Sequence, residues 1–214
     1  MIGKIGFIGG ANNVGKTTII DRYLLDLFKE DGKKVKSLRT GIMYQDECKK
    51  KNLITQDEEA VSQTLWDSVQ RTVSQQIIDT IKSESADLLL INTHYASASP
   101  FGYLMGLDIN FLEEIGSALK SSTASPFASV MLIDATLAEV LSRCRSNRVT
   151  SGRYMPSDDV RFDLELNRLY SYQYFHILTS ILGQSNSIYS RYLDTANNFE
   201  SVARAIHHEL NKRL

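Results

Sequence analysis

The chain has 214 residues, 43% of them hydrophobic, which suits one globular domain of about 200 residues with a sizeable core. Its formal net charge is −1 and its isoelectric point about 6.4, which excludes a global basic field able to hold nucleic acid non-specifically. No apolar run approaches the roughly 20 residues of a membrane span, and Met1 to Gly9 lack the long apolar core of a signal peptide, so a cytoplasmic protein without membrane contact is expected.

In chain order, Lys4-Ile5-Gly6-Phe7-Ile8-Gly9 reads as a short buried strand. From Gly15 to Asp31 the pattern is helical, with Ile19, Ile20, Tyr23, Leu24 and Leu27 at three- and four-residue spacing and Gly32 as a C-cap. Lys34 to Arg39 is a second strand. Thr55 opens a capping box with Glu58, and a long helix, broken near Trp66, runs to about Glu84. Asp87 to Thr93 contains Leu88-Leu89-Leu90-Ile91, and Ser129 to Asp134 contains Val130-Met131-Leu132-Ile133. Both are continuous apolar runs of strand length, as in parallel strands covered on both faces. A helix then runs to about Cys144, and the polar, arginine-rich stretch from Arg145 to Asp159 reads as a mobile loop. Val160 to Leu182 is a long helix with Phe162, Leu166, Leu169, Gln173, Ile177 and Ile181 on related faces. Ser187-Ile188-Tyr189 is a weak last strand, and Phe199 to Leu214 a helix capped by Asn197 or Asn198. Strands alternating with helices predict an α/β fold with a parallel sheet and right-handed crossovers. The helical excursion from Thr40 to Glu84 is its main irregularity. Cys48 and Cys144 lack metal-type spacing and read as reduced helix thiols.

The most informative segment is Gly10-Ala11-Asn12-Asn13-Val14-Gly15-Lys16-Thr17-Thr18, which fits the phosphate-loop pattern Gly-x-x-x-x-Gly-Lys-Thr. Gly10 lets the chain turn off the first strand. Gly15 gives close backbone approach where a Cβ would crowd a phosphate. Successive N–H groups then form an anion cradle at a helix N-terminus. Lys16 sets a compact positive charge on the β- and γ-phosphates, and the Thr17 hydroxyl is suited to ligate Mg²⁺. Strand before, amphipathic helix after and an α/β chain around it make this a nucleoside-triphosphate site rather than an inert glycine-rich turn.

Further on, Asn92-Thr93-His94 ends the third strand and is followed by Pro100-Phe101-Gly102-Tyr103-Leu104-Met105-Gly106-Leu107 and the helix of Phe111-Leu112-Glu113-Glu114; Asn167-Arg168 lies in the late helix. With these motifs, from Ile5 to about Ser190, the chain resembles the archaeal-type adenylate kinases, which carry Asp-Thr-His and Thr-Pro-x-Gly-Tyr-Leu-x-Gly-Leu-Pro at the same distance from the phosphate loop. The resemblance implies phosphoryl transfer from Mg-ATP to a nucleoside monophosphate, most simply AMP. It implies a P-loop three-layer fold over residues 1–214: a five-stranded parallel sheet flanked by helices, a helical acceptor-binding insertion (40–84) and a small arginine-rich lid (145–159). It also implies a homo-oligomer, often a trimer in this family.

Phosphoryl transfer needs positioning, positive charge and exclusion of water. Arg143, Arg145, Arg148 and Arg153 lie where a closing lid would deliver them, with Arg161 and Arg168 on the next helix. Arg143 and Arg153 are the preferred catalytic pair beside Lys16, because a guanidinium grips phosphate oxygens bidentately and stays charged. On the acceptor side the candidates are Arg39, Thr40, Arg71, His94, Gly102 and Tyr103. Arg71 is either an acceptor ligand, as in the family's helical Gln-x-Arg region, or a solvated helix charge. Tyr103 either packs on the acceptor or fills the core beneath its loop. His94, at the carboxyl end of a strand, is the better placed histidine; His176, His207 and His208 read as packing or surface residues.

Four departures from the family pattern stand out. Asn92 replaces the aspartate that organises magnesium waters and keeps its shape without its charge. Asn13 replaces a glycine, and asparagine tolerates left-handed backbone better than most residues. Arg39-Thr40-Gly41 replaces an aromatic-Gly-Thr triplet, and Ala98 replaces a basic residue. Arg39 is therefore expected to compensate for the charge lost at Ala98. These departures leave room for two rival readings: a kinase for another nucleotide or nucleoside acceptor, and a nucleotide-binding module without transfer activity.

Overall fold

The computed structural model describes residues 2–51, 63–99, 102–151, 157–193 and 198–214. Strand β1 (Lys4–Gly9) leads into α1 (Lys16–Ile19), which passes through a π-helical turn (Ile20–Leu24) into α2 (Leu25–Glu30). Next come β2 (Val35–Arg39), α3 (Thr40–Lys50), α4 (Gln63–Ser83), β3 (Leu88–Asn92), β4 (Ala96–Ser99), β5 (Gly102–Met105), α5 (Ile109–Ser122) and β6 (Phe127–Asp134). The chain closes with α6 (Leu137–Ser151), α7 (Ser157–Leu182), β7 (Ser187–Leu193) and α8 (Phe199–Asn211).

The apolar runs form the sheet because each of their faces meets a helical layer. Five strands pair in parallel in the order β2-β3-β1-β6-β7. Ile5, Phe7, Leu89, Ile91, Ala128, Val130 and Leu132 point to one face, against α4, α5 and the second half of α7. Ile8, Leu88, Leu90, Met131 and Ile133 point to the other, against α1–α2, α6 and α8. This is the three-layer α/β fold expected from the sequence. The strand register sets Arg39 opposite Asn92, and Asn92 opposite Ile8. The carboxyl ends of β2, β3 and β1 therefore finish side by side, where open α/β sheets place ligands.

Several expectations are corrected. α4 runs continuously through Trp66, so the break expected there is absent among the described residues. The capping box of Thr55 and Glu58 lies outside the described residues. The stretch expected to be a loop from Arg145 is helical to Ser151, and α7 already begins at Ser157. Residues 145–151 lack an apolar stripe but contain no helix breaker, and the first glycine is Gly152; a helix end can be polar all round. The apolar side expected for α7 holds only in its second half, where Ile177 and Ile181 pack on the core. Phe162 and Leu169 are about half exposed, whereas Asp163, Asn167 and Ser171 are buried on the same side as Val160, Leu164, Tyr174 and Leu178. Pattern reading sends polar residues outward, and here their hydrogen bonds hold them inside. The weak last strand is a full seven-residue partner of β6. Asn198 does precede α8, but its side chain makes no capping bond. The antiparallel hairpin of β4 and β5 is an element that the sequence pattern does not announce.

Gly32 is the expected C-cap. Its φ is +69°, Gly32 N donates to Lys29 O and Lys33 N to Phe28 O, the bond pair of a Schellman motif. A Cβ added at Gly32 meets nothing within 4 Å. Gly32→Ala should therefore cost only the left-handed conformational penalty, about 1 kcal/mol. Urea denaturation of the variant checks this; a loss beyond about 2 kcal/mol would show that a packing contact is involved.

Candidate functional site

The loop between β1 and α1 is shaped by three left-handed or glycine-only conformations. Gly10 has φ +150°, and a Cβ there would overlap the Ile133 carbonyl oxygen of β6. Gly15 has φ +98°, and a Cβ there would overlap the Phe199 ring of α8. The need for glycine at 15 thus comes from backbone sign and from protein packing, in addition to phosphate approach. Asn13 has φ 61°, the left-handed conformation expected of asparagine in a glycine's place. Its side-chain amide donates to Cys144 Sγ at 3.1 Å.

The first N–H groups of α1 have no intrahelical acceptor and open toward the loop. Lys16 is 7% exposed, and its Nζ donates to Gly10 O and Ala11 O, both at 2.6 Å. It also lies 3.4 Å from His94 Nδ1. Burial lowers the Lys16 ammonium to about 7, partly opposed by the Asp163 carboxylate. The same ammonium, with burial, drives His94 down to about 3, so the imidazole is neutral at physiological pH.

A cleft of about 820 Å³ opens above this centre. On one side it is lined by Ser142, Arg143, Ser146 and Phe199, on the other by Arg39, Gly41, Ile42 and Gln45, with Asn92 and His94 between. The expected loop residues Asn12, Asn13, Gly15, Lys16, Thr17 and Thr18 form its floor. Gly10, Ala11 and Val14 shape the loop from beneath. Arg143 is held in two ways: NH1 donates to Asn13 O at 3.3 Å, and its guanidinium lies 5.2 Å from the centre of the Phe199 ring. Arg39 faces the cleft from the end of β2 and is ion-paired with Asp21 of the π-helical turn.

The remaining expected residues divide between the cleft edge, the core and the outer surface. Thr40 is buried beside the cleft; its hydroxyl bonds Thr93 Oγ1 at 3.1 Å and Asn92 O at 3.4 Å, bracing the end of β3. Arg71 is exposed on α4 and is not among the cleft residues. Tyr103 meets the Phe162 ring edge to face, at 5.0 Å, and does not line the cleft. Gly102 starts β5 with φ +100°. Arg168 is bound to the buried Asp134 through Nε (2.8 Å) and NH2 (3.1 Å), shared with Arg191, so it is an internal ion-pair partner and not a lid cation. Arg161 is exposed. Arg153, and the side chains of Arg148 and Ala98, lie outside the described residues.

Two buried polar residues join the site: Asp163, which sequence reasoning misses, and Asn167, which it marks only as part of the Asn167-Arg168 motif. Asp163 Oδ2 accepts the Asn12 backbone N–H at 3.0 Å, and Asn167 Oδ1 accepts the N–H groups of Tyr95 (2.9 Å) and Ala96 (3.2 Å). The signal for Asp163 in the sequence is its four-residue spacing from Asn167, which is common in any helix.

A Mg²⁺ ion takes oxygen ligands and keeps several waters. No group of three or more His, Cys, Asp or Glu side chains among the described residues forms a metal cage. The exposed Thr17 hydroxyl and the Asn92 amide on the cleft wall instead suit an ion that arrives on a polyphosphate and keeps its waters.

The depressed Lys16 fixes a pH dependence. Phosphate oxygens favour the ammonium, so Lys16 must titrate higher in a polyphosphate complex than its value of about 7 in the free protein. Above that value binding takes up a proton, and affinity falls as pH rises, by at most about tenfold per unit. Calorimetric titration of a non-hydrolysable ATP analogue at pH 8, in buffers of different ionisation enthalpy, should show uptake approaching one proton. No uptake at pH 8 would mean that Lys16 is already charged.

No family model matches the chain. In sequence it is similar to an adenylate kinase of Thermoplasma acidophilum, 29% identical over 174 residues, which span 78% of this chain and 80% of that one. In fold it is similar to a Chloroflexus aurantiacus protein proposed to be a kinase, with TM-score 0.52, 14% identity and coverage of 98% and 96% of the two chains. It is similar also to the protein APE1195, with TM-score 0.50, 16% identity and coverage of 98% and 96%. The sequence likeness, joined to the shared five-stranded α/β fold, supports a P-loop kinase, a nucleotide-binding phosphotransferase, at that general level.

Proposed function

We propose that this protein transfers the γ-phosphoryl group of Mg-ATP to a nucleoside monophosphate, AMP in the first instance, giving two molecules of ADP. The supporting observation is one cleft with the Lys16 loop as its floor and an arginine on each wall, Arg143 on the α6 side and Arg39 on the β2 side. Such a cleft admits two phosphate-bearing groups that meet over Lys16.

In this reading the backbone from Gly10 to Thr18 cradles the donor phosphates, and the Lys16 ammonium leaves its own loop carbonyls for the β- and γ-oxygens. Thr17 and, through water, Asn92 would hold Mg²⁺, which would supply charge neutralisation at the donor phosphates. Arg143, steadied on Phe199, stabilises charge spread over the transferring group. Arg153, assigned from sequence alone, joins it when the lid excludes water. Arg39 holds the acceptor phosphate. Neutral His94 contacts the acceptor side and needs no proton-transfer role, since the attacking phosphate oxygen is already anionic. Thr40 acts through Asn92 and Thr93. Arg71, Gly102 and Tyr103 keep an acceptor role only if that wall closes inward around the substrate.

One observation favours a second reading, a less charged acceptor such as a nucleoside. Arg39 is the one cation among the described residues lining the β2 wall, and Asp21 already neutralises it. Incubation with Mg-ATP and a panel of monophosphates and nucleosides, with detection of the phosphorylated product, separates the two. ADP from AMP is expected; phosphorylated nucleoside alone selects the second reading, and no product with any acceptor leaves a binding module. Arg39→Ala should raise the KM for a monophosphate by about tenfold or more through loss of a charge-assisted contact, with the KM for ATP unchanged. An unaltered acceptor KM would remove Arg39 from the site.

A further inference from the structure

One buried charge has no part in phosphoryl transfer itself. Asp163 is 3% exposed on α7, and its negative charge lies near Lys16 at a site meant for anions. Its bonds say what it does. Oδ2 accepts the backbone N–H of Asn12, inside the phosphate loop, at 3.0 Å, while Oδ1 accepts Asn167 Nδ2 at 2.9 Å. Donors from the loop residue Asn12 and from Asn167 thus converge on this side chain. Only a carboxylate offers each an acceptor: an asparagine has one oxygen, and its amide would face a donor on the other side.

Asn167, fully buried one turn on, continues the chain of bonds. Its Nδ2 also donates to the Asp163 carbonyl at 2.9 Å, and its Oδ1 takes the consecutive N–H groups of Tyr95 and Ala96. Those two residues directly follow His94, which lines the cleft beside Lys16. α7 itself spans both layers. Val160 and Leu164 pack on the α1–α2 side of the sheet, and Tyr174, Leu178 and Leu182 on the α4–α5 side. Asp163 sits within the first anchored segment, and Asn167 between the two.

We propose that Asp163 and Asn167 form a positioning clamp that registers the phosphate loop against the end of β3, with Asp163 setting the donor side and Asn167 the acceptor side. Neither touches substrate. Asp163 acts through Asn12, and Asn167 through the backbone that carries His94. The donor half needs only that the loop binds a triphosphate; the acceptor half rests on the phosphotransferase reading.

The experiment compares wild type, Asp163→Asn and Asn167→Ser in affinity for a non-hydrolysable ATP analogue, in KM for the acceptor, and in Tm. Asp163→Asn removes the charge to which the Asn12 N–H bonds and should weaken analogue binding by about tenfold. Asn167 still has the Asp163 carbonyl for its Nδ2 and the Tyr95 and Ala96 N–H groups for its Oδ1, so the acceptor KM should stay within about twofold, the usual size of a remote effect. Asn167→Ser keeps the carboxylate on Asn12, so analogue affinity should hold while the acceptor KM rises. A fall in Tm with no split between the two constants, or the same split in both variants, overturns the clamp. Should Asp163→Asn fail to fold, the Asn167→Ser split decides alone. The analogue titration requires no turnover, so its result stands apart from whether any acceptor is phosphorylated.

Discussion

The carboxyl edge of the sheet is organised around one buried cation. Lys16 is almost wholly enclosed and is held by two carbonyl oxygens of its own loop, with no carboxylate in contact among the described residues. A charge in that position is expensive, as its lowered pKa reports. The structure tolerates it because the loop carbonyls solvate the ammonium and Asp163 supplies a distant counter-charge. A triphosphate relieves the same cost more fully, by bringing full negative charge to a site whose donors are already aimed. The affinity of such a loop for phosphate therefore has two sources: the N–H groups that point inward, and the discomfort of the lysine when nothing is bound.

Holding the loop in that shape spreads demands over the whole fold. Gly10 must pass beneath Ile133 of β6, and Gly15 against Phe199 of α8, so the last helix of the chain bears on the first loop. Phe199 also carries Arg143 on its other contact, and Asn13 ties the loop to Cys144 of α6. Four elements, β6, α6, α7 and α8, thus bear on a segment of eight residues.

How much of this can be read in advance depends on what kind of signal each part leaves. The sheet is legible because Leu88-Leu89-Leu90-Ile91 and Val130-Met131-Leu132-Ile133 are buried on both faces, and burial on both faces writes a continuous apolar run. The loop is legible because its backbone needs glycine at fixed positions. The buried side of α7 is misread for the opposite reason. Asp163, Asn167 and Ser171 are inside through specific hydrogen bonds, and a hydrogen bond leaves no periodic trace in sequence. The helical extension to Ser151 is missed similarly, since a helix without an apolar stripe looks like a loop. The hairpin of β4 and β5 is hidden because Ala-Ser-Ala-Ser has no strand composition; its strand form comes from pairing with Gly-Tyr-Leu-Met. Arg168 looks like a free cation because its partner, Asp134, lies on a different element, 34 positions earlier.

The departures at Asn92 and Arg39 are best weighed together, since the register of β2 and β3 puts them side by side. An aspartate at 92 would stand next to a guanidinium at 39 and compete with Asp21 for it. With asparagine there, Arg39 turns to Asp21 on the π-helical turn, and the cleft keeps a neutral amide between its two cationic walls. In the proposed reading, such an arrangement would lower the protein's own hold on a metal ion and leave that task to the phosphates. It also makes Arg39 releasable. An acceptor phosphate brings up to two negative charges against the single charge of Asp21, so exchange of partners costs little, and the π-helical turn that carries Asp21 is a form of helix often found at functional sites. In the proposed reading, the neutral Asn92 on β3 and the Asp21-paired Arg39 on β2 are two sides of one arrangement, in which the metal is left to the phosphates and Arg39 is kept neutral by its own carboxylate until an acceptor phosphate arrives.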